Sequence, residues 1–480
     1  RWMIVGDLGK PATAALQSAG AELIQVDADN VAESCSAGQW SGIIYSPLIG
    51  GEASDGAPVK NALKLVHGII EHPIPCWLVT RGAVAATDGD SVPQISAAGL
   101  WGFARTVAQE HPELKLRRID FLTEGDASQC AEQLLTELGQ PDREDQVAWR
   151  GDQRLCPRLT SVPMIVSNDA REPDIPQKGS ILIVGGLGGL GLSLANWLSE
   201  RGARHLVLAS RRSPETKAQA EIQRLQTRGV TVQVEALDVT SSDEVAQLFA
   251  SLKSDQKPVC GIVNAAGHLD DGAVRKLDWP RFESVLDPKV AGTWNLHRHS
   301  LDHPVEFFLL FSSSTALLGT PGQANHAAAN AWLDAFAHHR RAQNLPAVSI
   351  NWGPWSEIGS AARQEIAVNA RRHGLGTISA TKGWFLLGEI MASGHTQQGV
   401  LPMTWADVPS HLVEAPFFDH VSSGGAPPDT TASPEPIKSA TAIDWAALTS
   451  SNRVRKMGEL IQTEIRSILG MASEAPIALR

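Results

Sequence analysis

Residues 181–191 read ILIVGGLGGLG, four apolar residues followed by seven of which five are glycine. Few folds accommodate such a run. Residues 179–198 carry no charge and have the length of a membrane span, but six of the twenty are glycine and they cluster centrally. A buried strand that turns sharply into a helix, SLANWLSERG, accounts for this better. Glycine lets the chain turn tightly and brings backbone N–H groups close to a pyrophosphate, whose charge rests on the positive end of the helix. Gly185, Gly186, Leu187, Gly188, Gly189, Leu190 and Gly191 are therefore the candidate dinucleotide-binding loop.

The flanking sequence supplies the rest of such a fold. After SILIVGG come HLVLAS, TVQVEALDV, CGIVNAAG, VEFFLLFSS and AVSINWG, each separated by a helical pattern. The same alternation occupies the N-terminal part, in WMIVGD, AELIQVD, SGIIYSPLI and CWLVTRGAV, with helical patterns such as ISAAGLWGFARTVAQEHP. Alternating strands and helices give mostly parallel sheets covered by helices. The expected fold class is α/β, two tandem Rossmann-like, doubly wound parallel-sheet subdomains over 1–170 and 171–415. The first turn of the chain, Gly6-Asp7-Leu8-Gly9-Lys10, lacks a third glycine. The first subdomain is thus expected to be degenerate and structural, the second catalytic. Residues 416–442, dominated by Ser, Thr, Gly, Pro and Ala, read as a flexible linker, and 443–480 hold an amphipathic helix pattern.

Strand ends choose the cofactor. An NAD site would offer a carboxylate after the second strand, whereas HLVLAS ends in Ser210-Arg211-Arg212. Two guanidiniums suit a 2′-phosphate, so NADPH is expected. Asp238 and Val239 follow the third strand, where a carboxylate accepts from the adenine amine. Asn264, Ala265, Ala266 and Gly267 follow the fourth, where small residues admit the ribose and nicotinamide.

Ser312-Ser313-Ser314 closes the fifth strand, and His326 stands thirteen residues after Ser313 in PGQANHAAANAWLDAFAHHRR. On these motifs, residues 175–415 resemble the ketoreductase domain of modular type I polyketide synthases, a branch of the short-chain dehydrogenase/reductases. The first part resembles the structural subdomain of the same family, through WMIVGD and GLWGFARTVAQEHPEL. The resemblance implies a catalytic lysine, serine, tyrosine and asparagine. Lys289, Ser313 and Asn330 match at intervals of 24, 13 and 4 residues, but the tyrosine position holds His326. The single tyrosine, Tyr45, lies in the first half. Hydride addition to a ketone needs a donor for the nascent alkoxide; imidazolium is a stronger acid than phenol, while a neighbouring ammonium disfavours that charged form. Leu269-Asp270-Asp271 matches the motif of B-type members, which form the D (3R) hydroxyl; the A-type tryptophan is replaced by Leu318, and Ala328 stands two after His326. In the family this loop guides the pantetheine arm. Trp352, Gly353 and Pro354 are implied beside the nicotinamide, followed by a lid helix over residues 356–374. His338 and His339 read as solvated positions of a helix.

Composition narrows the remaining classes. Forty-one Lys and Arg against 52 Asp and Glu give a net charge of −11, which excludes a general attraction to nucleic acid or anionic membrane. Cys35, Cys76, Cys130, Cys156 and Cys260 show no CxxC spacing, so neither a zinc module nor a disulfide scaffold is expected, and no metal. A soluble, cytoplasmic protein without a leader is the expectation. The resemblance implies NADPH-dependent reduction of a β-ketoacyl thioester carried by a phosphopantetheinylated acyl carrier protein, beside neighbouring polyketide synthase domains. The alternative is a non-reducing relative, an epimerase or a structural domain, because of His326.

Overall fold

Apolar runs become interior strands where both faces of a sheet can be covered. In the computed structural model, which describes residues 1–48, 50–139, 142–162, 173–359, 374–409 and 414–422, this happens twice. Strands β1 (Trp2–Gly6), β2 (Leu23–Gln25), β3 (Gly42–Ser46), β4 (Cys76–Arg81), β5 (Arg117–Phe121), β6 (Gln146–Arg150) and β7 (Gln153–Leu155) form one sheet. Its order is β2-β1-β3-β4-β5-β6-β7, parallel except for the antiparallel β6–β7 pair. Strands β8 (Ser180–Val184), β9 (His205–Ser210), β10 (Thr231–Ala236), β11 (Val259–Asn264), β12 (Phe307–Ser313), β13 (Val348–Trp352) and β14 (Gln397–Val400) form the other. Its order, β10-β9-β8-β11-β12-β13-β14, is parallel throughout. The two-sheet α/β expectation is met. The uncharged run 179–198 is β8, the glycine turn and the helix Gly189–Glu200. No helix among the described residues is long and apolar enough to cross a membrane.

Strand β5 is the element the residue pattern hides. Its Arg118 and Asp120 are buried at 2% and 0% exposure, as charged residues rarely are without partners. Asp120 accepts from Arg150 at 2.9 Å, from the Thr80 hydroxyl at 2.7 Å and from the Ala83 N–H at 3.0 Å; Arg118 pairs with Asp145.

The two sheets share one core. Leu100, Phe103 and Val107, on helix Gly99–Glu110 of the first half, belong to the same buried cluster as Phe282, Ala328, Trp332 and Phe336 of the second. Phe103 and Phe282 lie 6.0 Å apart between ring centroids, and the Trp332 indole donates to the Ala53 carbonyl at 3.0 Å. Helix Ala324–Ala342, which carries His326 and Asn330, is thus pressed onto the first half. Gly99 and Gly102 permit this. A side chain at Gly99 would meet the Ala328 carbonyl oxygen at 3.3 Å, and one at Gly102 the Ala331 Cβ at 2.7 Å.

Two expectations are corrected. The stretch assigned to a linker from 416 begins in packed structure: Phe417 and Phe418 are buried in the turn Pro416–Phe418, and Leu159 donates to the Phe417 carbonyl. Apolar side chains at its start outweigh the polar composition that follows. His338 and His339 are half-buried rather than solvated, because their helix is covered on nearly all sides; His339 bonds the Val92 carbonyl at 3.0 Å. The rest of that linker, the C-terminal helix expected within 443–480, and most of the expected lid helix (360–373) lie outside the described residues.

Candidate active site

Neighbour order reverses between β8 and β11, and a crevice opens at the carboxyl ends of these strands. Gly185 follows β8 at φ +79°, and its added side chain would lie 2.9 Å from the Ala265 carbonyl oxygen. The Gly185 N–H donates to the Ala209 carbonyl at 2.9 Å. Gly191 brings the helix onto the loop, since a Cβ there would meet the Gly185 oxygen at 2.4 Å. Gly188 is extended at the helix N-cap position, and no side chain caps this end. An uncapped helix start after a glycine-rich loop is a cradle for an anion, so the residues fit a dinucleotide pyrophosphate. Leu187 and Leu190 pack against a separate apolar cluster of the second half that includes Ile183, Leu192 and Leu208, anchoring the loop.

Farther along the crevice, Ser210 accepts from the Arg212 N–H at 3.3 Å. Arg211 and Arg212 are exposed, and among the described residues neither has an ion-pair partner. Asp238 is held by its own turn, accepting from the Thr240 N–H at 3.0 Å and hydroxyl at 2.8 Å. Val239 is buried, and its carbonyl accepts from Asn295 at 3.1 Å. Asn264 points inward: it donates to Thr293 at 2.8 Å and the Pro288 carbonyl at 3.3 Å and accepts from the Ala266 N–H. Its side chain therefore fixes the loop before Lys289 rather than facing the crevice. In the first half, the corresponding turn holds a carboxylate: Asp7 accepts from the Gly9 N–H at 2.8 Å, a charge that repels phosphate.

Next to the glycine loop lies a cavity of about 440 Å³. Its walls include Leu190, Ala265, Ala266, Gly267, Lys289, Ser313 and His326. Lys289 is buried and donates to the Phe311 carbonyl at 2.8 Å, with Gly267 leaving room beside its side chain. Burial pulls its pKa down to about 8, opposed by the Asp334 carboxylate. Ser313 ends β12 in extended conformation, and its hydroxyl accepts from the Thr315 N–H at 3.3 Å. Burial first, then Lys289 and His268, pull the His326 imidazole down to about 3, so it is neutral near pH 7. Desolvation and the Lys289 ammonium thus both disfavour the imidazolium, which leaves a neutral ring N–H as the donor. Four buried polar atoms are unpartnered here: His326 Nδ1, Asn330 Oδ1, Thr315 Oγ1 and His268 Nδ1. Asn330 stands one turn behind the cavity wall and donates to the His326 carbonyl at 2.7 Å. Tyr45 is fully buried in the first half, its hydroxyl given to the Pro58 carbonyl at 2.6 Å, and it supplies no phenol to the cleft.

Residues 179–357 match the family described as the KR domain, and residues 5–159 match the Rossmann fold domain of polyketide synthase extender module SpnB. The chain is 37% identical over 325 residues to a phenolphthiocerol/phthiocerol polyketide synthase of Mycobacterium tuberculosis, covering 68% of this chain and 17% of that protein. It is 34% identical over 440 residues to polyketide synthase GfsB of Streptomyces halstedii, covering 88% and 8%. Among solved structures, an A1-type ketoreductase matches with TM-score 0.79 at 28% identity, covering 88% of this chain and 93% of that one. A C2-type ketoreductase from a modular polyketide synthase matches with TM-score 0.75 at 26% identity, covering 86% and 94%. The chain belongs to the ketoreductases of modular polyketide synthases. It spans about a sixth or less of the length of these curated relatives, 17% at most.

In this ketoreductase the Leu269-Asp270-Asp271 loop is fastened at both aspartates. Asp270 is paired with Arg281, whose Nε lies 3.0 Å away, and its carbonyl accepts from Asn325 at 2.9 Å. Asp271 accepts from Gln323 at 3.0 Å, and burial together with Asp270 raises its pKa. Leu269 and Asp271 line the cavity with Trp352, Gly353 and Pro354. Trp352 is buried in a cluster of tilted aromatic rings, 4.9 Å from Trp355 and 5.7 Å from Phe311 between centroids, so it shapes the floor.

The sequence reading missed a polar brace behind the ketoreductase cleft. Buried Asp334 accepts from Ser349 at 2.6 Å and Asn351 at 2.7 Å, and Asn351 also donates to Ser312 at 3.0 Å. Its only available signal was position: Asp334 stands eight residues after His326 on one helix.

Proposed function

We propose that this ketoreductase uses NADPH to reduce a β-ketoacyl thioester, presented on a phosphopantetheinylated acyl carrier protein, to the D (3R) β-hydroxyacyl thioester. The carrying observation is that Lys289, Ser313 and His326 wall one cavity beside an uncapped, glycine-lined helix start. NADPH, when bound, supplies the hydride. Gly185 to Gly191 would hold its pyrophosphate and Arg211 and Arg212 its 2′-phosphate; Asp238 and Ala265 to Gly267 would line the rest, with Val239 and Asn264 supporting those loops from behind.

The substrate carbonyl becomes an alkoxide, which needs donors and then one proton. The Ser313 hydroxyl and a His326 ring N–H supply the donors. A neutral imidazole gives up its N–H reluctantly, so the His326 N–H orients and stabilises the alkoxide, and a water entering the cavity supplies the proton, its hydroxide leaving to solvent. Lys289, charged below about pH 8, stabilises the negative charge electrostatically. Asp270 and Asp271 hold the loop that directs the pantetheine arm, and tethering to a carrier domain of a neighbouring module segment raises the effective substrate concentration. Five scattered cysteines without CxxC spacing fit a reducing compartment such as the cytoplasm.

One observation favours a second reading. His326 is held neutral, and its Nδ1 has no partner, as in a domain that binds NADPH without reducing. The purified chain, NADPH and a β-ketoacyl thioester decide between them. Oxidation of NADPH with formation of a single hydroxyl epimer supports reduction; none above background, with activity appearing in His326→Tyr, supports a non-reducing epimerase or structural role.

A further inference from the structure

The cleft is bounded by two segments that the first half of the chain ties together. Glu110, the last residue of helix Gly99–Glu110, accepts two backbone bonds: the Val274 N–H at 2.7 Å on Oε2, and the Gly322 N–H at 2.7 Å on Oε1. Val274 follows the Leu269-Asp270-Asp271 loop, and Gly322 precedes the helix that carries His326. These segments also meet directly, through Gly272 N–H to the Gly322 carbonyl at 2.8 Å and Gln323 to Asp271 at 3.0 Å. The preceding residues of the same helix join in: the Thr106 hydroxyl accepts from the Thr320 N–H at 3.3 Å, and Gln109 donates to the Leu318 carbonyl at 2.5 Å. Gly319, at φ +70°, fits only because it has no side chain, which would stand 2.7 Å from the Arg105 carbonyl oxygen.

A charged acceptor shared by two N–H groups is stronger than a neutral one and fixes both donors relative to each other. We propose that Glu110 is a positioning residue that sets which face of the ketone is reduced, by locking the Asp270-Asp271 loop to the start of the His326 helix. This rests on the reductase reading for its consequence, and on geometry alone for the lock. Glu71, which reaches Arg275 at 3.1 Å with both side chains largely exposed, touches the same region without such a role, as exposed pairs contribute little.

Hydrogen–deuterium exchange on the full chain tests the lock without any turnover. In Glu110→Ala, peptides spanning 271–276 and 319–323 should exchange about tenfold faster together, each having lost a charge-assisted bond. Glu110→Gln, which keeps one carbonyl oxygen, should show a smaller rise and serves if the alanine variant does not fold. Glu71→Gln should match the parent. Product analysis then reads the consequence: the hydroxyl epimer ratio should fall about tenfold in Glu110→Ala, and KM should rise more than kcat falls. Unchanged exchange in both peptides overturns the lock. Faster exchange with an unchanged epimer ratio overturns the role in selectivity. A parent chain that yields no alcohol at all is seen separately, and overturns the reductase reading while leaving the exchange result intact.

Discussion

Gly102 in the first half lies against the backbone of Ala327, the residue after His326: a side-chain carbon on Gly102 would stand 2.1 Å from the Ala327 carbonyl oxygen. Alanine in place of a helix glycine gains at most about 1 kcal/mol of propensity. The clash with unyielding backbone costs more, so Gly102→Ala should destabilise the chain by about 1–3 kcal/mol in urea unfolding. Turnover should drop as well, because the displaced segment is the one that presents His326.

Removing the imidazole tests its chemical part. His326→Phe keeps an apolar ring but no N–H, and kcat should fall by about 10² or more. His326→Tyr should hold or raise kcat, measured by NADPH absorbance with a β-ketoacyl thioester.

The pH profile should report Lys289. Its ammonium is the active form and persists below about pH 8, so the reduction rate should decline as pH rises through that value. In Lys289→Met the whole profile should lie lower and lose this limb.

Acid stability should report His326. Its folded value, about 3, is below the ordinary value of 6.5, so the unfolded chain binds the extra proton between the two. The stabilisation from keeping the ring neutral is complete above about 6.5 and is lost as pH falls toward 3. His326→Gln should remove part of that slope, seen by comparing denaturant midpoints of the two proteins at pH 7 and 4.5. His297, drawn to about 4 by burial and Arg340, remains in both and cancels.

Cofactor choice should sit on two exposed arginines. Replacing Arg211 and Arg212 with alanine should raise the KM for NADPH by about 10–100-fold and leave that for NADH nearly unchanged, since only the former has the 2′-phosphate.

Legibility in the sequence followed the physics of burial. Strands β8, β11 and β12 are covered on both faces and appear as unbroken apolar runs. Strand β5 does not, because Arg118 and Asp120 are interior only by virtue of Asp145 and Arg150, 27 and 30 residues away. Strand β14, with Gln397 and Gln398, is an edge whose polar composition resembles a loop. Lys289, Ser313 and His326 could be placed by spacing, since strand ends and helix turns set their separations. The neutral state of His326 could not, because desolvation is a property of the packed cleft. Glu110 carried no local signal at all: its two donors lie 164 and 212 residues further along the chain.

One apolar cluster is shared by both sheets, and this bears on engineering. Ala328 and Trp332 share a buried cluster with Leu100, Phe103 and Val107, so an excerpt starting near Ser180 would reach a foreign host with that part of its interior bared. Anyone grafting this ketoreductase domain into another polyketide synthase must move both halves as one cartridge.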